Sequence, residues 1–160
     1  MSASTQKILV PHDGSNMSDK ALDKAIEFAK AFNSEIIILH ILDDRLLPSE
    51  SILRFVGEKS PTVLEAKSQL LDILRIGAEQ LLKDRTRKVK DNEINVRFVM
   101  GMGFPADGIA NLAKKENVDL IIVGSKELEK ERNDNDKLKL LGSVARRVSE
   151  ISHCPVMIIK

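Results

Sequence analysis

Short, continuous apolar runs alternate along this chain with longer stretches in which apolar residues recur every three to four positions, a pattern of strands separated by helices. Lys7-Ile8-Leu9-Val10 reads as a strand stopped by Pro11. From Ser18 onward, Leu22, Ala25, Ile26, Ala29 and Phe32 share one face of a helix that ends near Asn33. Ile36-Ile37-Ile38-Leu39-His40-Ile41 forms the centre of a second strand over residues 35–42. Thr62-x-x-Glu65 has the spacing of a capping box, opening a long helix with Leu70, Leu74, Ala78 and Leu81 in register. A third strand is predicted over residues 94–99. The helix after it has Pro105 in its first turn, points Ile109, Leu112 and Ala113 inward, and stops at Asn117. Leu120-Ile121-Ile122-Val123 is the fourth strand. Val144, Val148 and Ile151 line the last helix, and residues 155–159 make the fifth strand.

Each connection is too long for a hairpin, so the strands form a mostly parallel, doubly wound sheet with helices on both faces. Two segments exceed ordinary loop lengths, residues 43–60 and 126–139. The first carries Ile52, Leu53, Phe55 and Val56, which suit either a short helix covering a site or partner, or a local satellite core.

Composition narrows the function. A chain of 160 residues, 42% hydrophobic, is sized for a single domain over residues 1–160 with one core. Lysine plus arginine number 25 against 24 acidic residues, and the 3% aromatic content is all Phe, which disfavours nucleic acid as a partner. Cys154 is the only cysteine, so no internal disulfide forms. With no secretory h-region at the start and no apolar stretch near 20 residues, the expected location is cytoplasmic, away from the membrane.

Several segments together resemble the universal stress protein family: Ile8-Leu9-Val10-Pro11-His12-Asp13-Gly14-Ser15, Gly101 through Pro105, residues 118–125, Gly142-Ser143-Val144-Ala145 and Cys154-Pro155-Val156. The resemblance spans nearly the whole chain. It implies a five-stranded, Rossmann-like domain of strand order 3-2-1-4-5, akin to the adenine nucleotide alpha hydrolase fold. It also implies a homodimer, here through the apolar edge strand 155–159, and membership of either a branch that binds ATP or AMP or one that does not.

On the binding reading, Pro11 and Ile41 flank adenine and Asp13 accepts from ribose hydroxyls. The strand end Val123-Gly124, Lys126 and the helix start Gly142-Ser143-Val144 hold phosphate. Asp13-Gly14-Ser15 also reads as an ordinary turn in which Asp13 bonds its own backbone. The family's binding pattern is Gly, two residues, Gly, nine residues, Gly-Ser; Gly124 and Gly142-Ser143 fit it. Glu127 replaces the middle glycine, however, and the loop is five residues longer than the pattern. Its charges, Lys126, Lys130, Arg132, Lys137 and Lys139 against Glu127, Glu129, Glu131, Asp134 and Asp136, cancel, as expected of a solvated, disordered excursion. Asp43-Asp44 reads either as a Mg²⁺ site beside a nucleotide or as a solvated strand end, and His12 and His40, which end adjacent strands, either approach each other or these carboxylates near the ligand edge or are simple hydrogen-bonded residues.

Other chemistry is thin. Gly101-Met102-Gly103-Phe104-Pro105-Ala106 mimics a dinucleotide fingerprint, but Asp119 precedes the next strand instead of ending it. No Walker-type phosphate loop occurs. His153-Cys154 is too local to make a reactive pair, and the basic run from Arg85 to Lys90 reads as a solvated helix end. Two functions remain open: a dimeric adenine-nucleotide-binding stress module with at most slow ATP hydrolysis, or a nucleotide-independent interaction protein of the same fold.

Overall fold

The computed structural model describes residues 6–43, 45, 47, 49, 61–125, 128–131 and 137–160. β1 (Lys7–Pro11), α1 (Asn16–Phe32), β2 (Glu35–Leu42), α2 (Pro61–Lys90), β3 (Val96–Met102), α3 (Pro105–Lys115) and β4 (Leu120–Gly124) follow in order. Then come β5 (Leu128–Glu131), β6 (Lys137–Leu140), α4 (Ser143–Ile151) and β7 (Val156–Ile159). The main sheet is parallel, with order β3-β2-β1-β4-β7, which is the expected 3-2-1-4-5 arrangement of five strands.

Strand side chains alternate between two cores, as period-2 geometry requires. Ile8, Val10, Ile36, Ile38 and Ile122 pack under Ala21, Leu22, Ala25 and Ala29 of α1 and Leu82 and Val89 of α2. Leu9, Ile37, Leu39, Ile121 and Val123 face the other way, toward Ile109 and Ala113 of α3 and Ala145 and Val148 of α4. Chain direction reverses outward from β1 and β4, so the switch point where open α/β sheets bind ligands lies at the carboxyl ends of those two strands.

Several boundaries differ from the sequence expectation. Pro11 belongs to β1, paired with Leu39, and the ladder is continued by the His12 amide donating to Leu39 O at 2.8 Å. α1 starts at Asn16 rather than Ser18, because Ser15 is its N-cap and accepts from the Ser18 amide. β3 runs later than residues 94–99. α2 already includes Pro61, so Thr62 lies inside the helix and is not a cap. In the first half of α2 the supposed core positions Leu70 and Leu74 are exposed, and over residues 65–90 the first buried side chain is Ala78. The segment over residues 126–139 is not a structureless excursion: β5 and β6 form an antiparallel ribbon separate from the main sheet, with Glu129 opposite Lys139 and Glu131 opposite Lys137. Ile52, Leu53, Phe55 and Val56 lie outside the described residues.

Candidate functional site

The carboxyl end of β1 turns sharply into α1, and the turn is built from its own side chains. Gly14 takes φ +88°, a conformation that a side chain resists. The Asp13 carboxylate closes the turn, Oδ1 accepting from the Ser15 amide at 2.9 Å and from Ser18 Oγ at 2.8 Å. Oδ2 takes no hydrogen bond among the described residues and remains at the ligand edge. Partial burial raises the Asp13 pKa, but the hydrogen bonds from Ser15 and Ser18 outweigh it, so the group ionises below its ordinary range.

Beneath this turn lies a half-buried relay that nothing local in the sequence announces. The Gly14 amide donates to His12 Nδ1 at 3.1 Å, which leaves the ring proton on Nε2, 3.0 Å from Asp19 Oδ1. Asp19 in turn accepts two bonds from Arg85, Nε to Oδ1 at 2.7 Å and Nη2 to Oδ2 at 3.1 Å. Burial lowers the His12 pKa, helped by Arg85 and opposed by Asp19, so the imidazole is neutral near pH 7. Desolvation raises the Asp19 pKa; the bonds from Arg85 and His12 more than reverse it. The run beginning at Arg85 is therefore not merely a solvated helix end: Arg85 is bound to Asp19, Lys88 to Asp23, and Val89 is in the core. His40 approaches His12 as expected, its Nδ1 donating to the His12 carbonyl at 2.8 Å.

At the end of β4, the Val123 side chain is given to the core beside α3 and α4, so its main chain is the part that meets the edge. A Cβ on Gly124 would lie 2.5 Å from both the carbonyl carbon and oxygen of Met17, so glycine here lets the first turn of α1 cross the strand end. Ser125 is buried; its amide donates to Ile159 O and its Oγ accepts from the Gly142 amide at 3.2 Å. Gly142 is the N-cap of α4, and the first intrahelical bond is Arg146 N to Gly142 O. The amides of Ser143, Val144 and Ala145 precede that bond and carry the positive end of the helix dipole.

Ile41, at the end of β2, sits in a slot made by two glycines: a Cβ on Gly101 would lie 3.6 Å from Ile41 Cγ1, and one on Gly108 2.5 Å from Ile41 Cδ1. Asp43 is engaged within its own turn rather than open to a cation. Its carboxylate is claimed by Arg45, Nε to Oδ1 at 2.8 Å and Nη2 to Oδ2, and Arg45 also lies over the Phe104 ring, 5.3 Å from its centroid. Those bonds, opposed by slight burial, lower the Asp43 pKa. A carboxylate already saturated by a guanidinium is a poor Mg²⁺ ligand, and Asp44 lies outside the described residues. No group of three His, Cys, Asp or Glu side chains able to hold a metal occurs among the described residues.

The structure thus brings Pro11, Asp13, Ile41, Gly124 and the Gly142-Ser143-Val144 start of α4 to one edge of the sheet, with Val123 behind it. Lys126 and Glu127 lie outside the described residues. Away from this edge, Cys154 packs against the α3/α4 core and burial pushes its thiol pKa up. A polar cleft of about 550 Å³ opens at the opposite, amino edge, lined by Lys30, Asn33, Asp91 and Asn95 among others. No described helix is long and apolar enough to cross a membrane. Sequence reading missed Ser18, Asp19, Arg85 and Ser125. Only Ser18 had a local signal, lying three residues after a capping serine.

The family model described as "Universal stress protein family" matches residues 4–160. Universal stress protein YxiE from Bacillus subtilis is 32% identical over 154 residues, covering 96% of this chain and 98% of that protein. Universal stress protein MJ0577 from Methanocaldococcus jannaschii is 31% identical over 163 residues, covering 100% and 98%. A solved structure of MJ0577 superimposes with a TM-score of 0.77 at 28% identity, over 99% of this chain and 97% of that one. A universal stress protein family structure from Arabidopsis thaliana, solved with AMP bound, shares the fold at TM-score 0.60 and 18% identity, over 97% and 91%.

Proposed function

We propose that this chain, which belongs to the universal stress protein family, is a cytoplasmic, single-domain module that binds an adenine nucleotide and signals its occupancy, rather than turning it over. The observation that carries this reading is the Ser125–Gly142 bond. It ties the amino end of α4 to the end of β4, next to the Asp13 turn at the end of β1, so that an anion-binding helix start and an ionised acceptor share the switch point of the sheet. Asp13 Oδ2 suits ribose hydroxyls, the amides of Ser143 to Ala145 suit a phosphate, and the Ile41 slot between Gly101 and Gly108 suits an adenine face. Pro11, Val123 and Gly124 shape the floor, and Lys126 is read as a phosphate contact. His12 and His40 are both engaged in the framework, which supports binding over catalysis.

A homodimer through β7 accompanies this reading. β7 is an apolar edge strand whose outer side has no partner strand among the described residues. The involvement of Asp13 Oδ1 in its own turn favours the second reading, a nucleotide-independent interaction protein. Mass spectrometry of gently purified, denatured protein, with calorimetric titration of ATP and AMP, separates the two. Nucleotide release and measurable heats support the module, and absence of both supports the interaction protein.

A further inference from the structure

The Asp13 turn is clamped on both sides, and one clamp is a ring that can take up a proton. On one side the Ser15 amide and the Ser18 hydroxyl donate to Asp13 Oδ1. On the other the Gly14 amide donates to His12 Nδ1 at 3.1 Å, with Gly14 at φ +88°. The ring nitrogen does what a side-chain carbonyl does in an Asx turn, accepting from the amide two residues on. Imidazole differs in one respect: a proton can occupy the accepting lone pair. The His12 side chain is wholly buried, so its surroundings are fixed. From α1, Asp19 Oδ1 lies 3.0 Å from Nε2 and Ser18 Oγ 3.4 Å from Nδ1. From α2, Arg85 is bound to Asp19 and adds its positive charge. From β2, His40 Nδ1 donates to the His12 carbonyl, and Asp13 is the next residue in the chain.

We propose that His12 is a positioning residue for the ribose acceptor Asp13, and that a proton taken up from solvent at His12 Nδ1 releases the nucleotide. The inference rests on the nucleotide reading above and adds the regulation of that site. With Nε2 already protonated toward Asp19, a second ring proton goes to Nδ1, where it confronts the N–H of Gly14. Two donors cannot share that contact. Gly14 therefore withdraws, and Asp13, covalently between the two residues, is drawn off its position. Ser18 Oγ becomes the acceptor that the new N–H faces, and it is the same hydroxyl that donates to Asp13 Oδ1, so both clamps are disturbed together. Burial keeps the ring neutral near pH 7 and places the response below pH 6.5. Asp13 stays ionised there, because its hydrogen bonds hold its pKa below the ordinary carboxylate value. A ligand that prefers the neutral ring loses affinity as pH falls, approaching tenfold per pH unit below the His12 pKa.

Calorimetric titration of the full chain with adenosine, which has no phosphate to titrate, tests the proposal from neutral pH down to the onset of acid unfolding, itself followed by far-UV circular dichroism. The wild-type dissociation constant should be level above pH 6.5 and rise at least tenfold below it before the fold is lost. In His12→Asn, whose side-chain carbonyl accepts from Gly14 without titrating, the ratio of acid to neutral constants should fall to within about twofold of one. In His40→Asn the ratio should stay that of wild type. In the unliganded wild-type chain, the Gly14 amide resonance should shift with the same midpoint as the His12 ring. A level wild-type profile, a His12→Asn ratio equal to that of wild type, a His40→Asn ratio near one, or a Gly14 amide that ignores the ring overturns the inference while leaving the nucleotide reading standing. Absence of heat at neutral pH, by contrast, overturns the nucleotide reading and this regulation with it.

Discussion

Ser125 Oγ accepts a hydrogen bond from the Gly142 amide at 3.2 Å, joining positions 17 residues apart and closing the base of the segment that carries β5 and β6. Ser125 is also held by its own amide to Ile159, so one buried serine fixes the end of β4, the entry to α4 and the edge strand β7 together. Ser125→Ala leaves a buried amide without an acceptor and should cost about 1–3 kcal/mol of unfolding free energy. AMP affinity should fall as well, because the α4 amides lose their anchor. Urea unfolding and calorimetry check both; an AMP affinity equal to wild type would show that α4 is positioned by packing alone.

Asp13 Oδ1 holds its own turn, whereas Oδ2 is the ribose acceptor of the proposed reading, and substitution can separate the two roles. Asn keeps an acceptor for the Ser15 amide and Ser18 hydroxyl but replaces the charged outer oxygen. Asp13→Asn should therefore unfold near the wild-type midpoint while weakening ATP and AMP equally, by about 1.5–3 kcal/mol for loss of a charged acceptor. Unchanged titration heats would reduce Asp13 to a turn residue.

Gly124→Ala tests the crossing of α1 over β4. The added Cβ would meet Met17 main-chain atoms at 2.5 Å, and backbone cannot rotate aside as a side chain can. The strain should lower stability by about 1–3 kcal/mol, measured as a shift in urea midpoint without change in slope. A shift near zero would mean that the start of α1 moves away freely.

The His12 relay predicts a specific acid sensitivity. The imidazole is depressed below its ordinary value of 6.5 in the fold, so below about pH 6.5 the unfolded chain binds a proton that the folded chain refuses. The contribution of the neutral ring is complete above pH 6.5 and declines as pH falls toward the folded pKa. The depressed Asp13 and Asp19 groups act in a lower window, stabilising above about pH 4 and failing below it. Asp13, Asp19, Arg85 and His40 are the titratable or charged groups around the ring. His12→Asn should flatten the stability profile just below pH 6.5 and leave the more acidic limb in place. An identical profile for both proteins refutes the assignment.

The sheet was legible in the sequence because parallel strands are buried on both faces: runs such as Ile36 to Leu39 and Leu120 to Val123 have one physical reading. α2 misled because helical periodicity records only that a face is apolar, and Leu70 and Leu74 continue the face of Ala78 with no sheet beneath them. At the site, positions fixed by local turn chemistry were legible, Asp13, Gly14 and the Gly142-Ser143 helix start among them. Arg85 was not: its partner Asp19 lies 66 residues away and only the packing of α2 on α1 joins them. Gly124 was found for an incomplete reason, since the chain path of α1 already demands it whatever phosphate contact it makes.

The β5/β6 ribbon sets the last prediction, which concerns the choice between ATP and AMP. The ribbon forms its own two-stranded sheet, and the segment over residues 126–139 that carries most of it holds five basic and five acidic residues, so it brings no net charge to terminal phosphates. On the proposed reading both nucleotides use the Asp13 acceptor and the α4 amides, so the wild-type chain should bind ATP little better than AMP. Replacing residues 127–141 with a short linker that keeps Lys126 and supplies glycine at position 127 leaves the five-stranded sheet intact, because no main-sheet strand lies within them. It removes the Glu127 carboxylate and gives backbone amides access to the second and third phosphates. ATP should then gain about 1.5–3 kcal/mol per recovered charge-assisted bond while AMP changes little. Titration of both proteins with both nucleotides decides the matter. A wild-type chain that already prefers ATP tenfold or more would show that the ribbon segment itself supplies the phosphate contacts, and the shortened chain would then lose that preference.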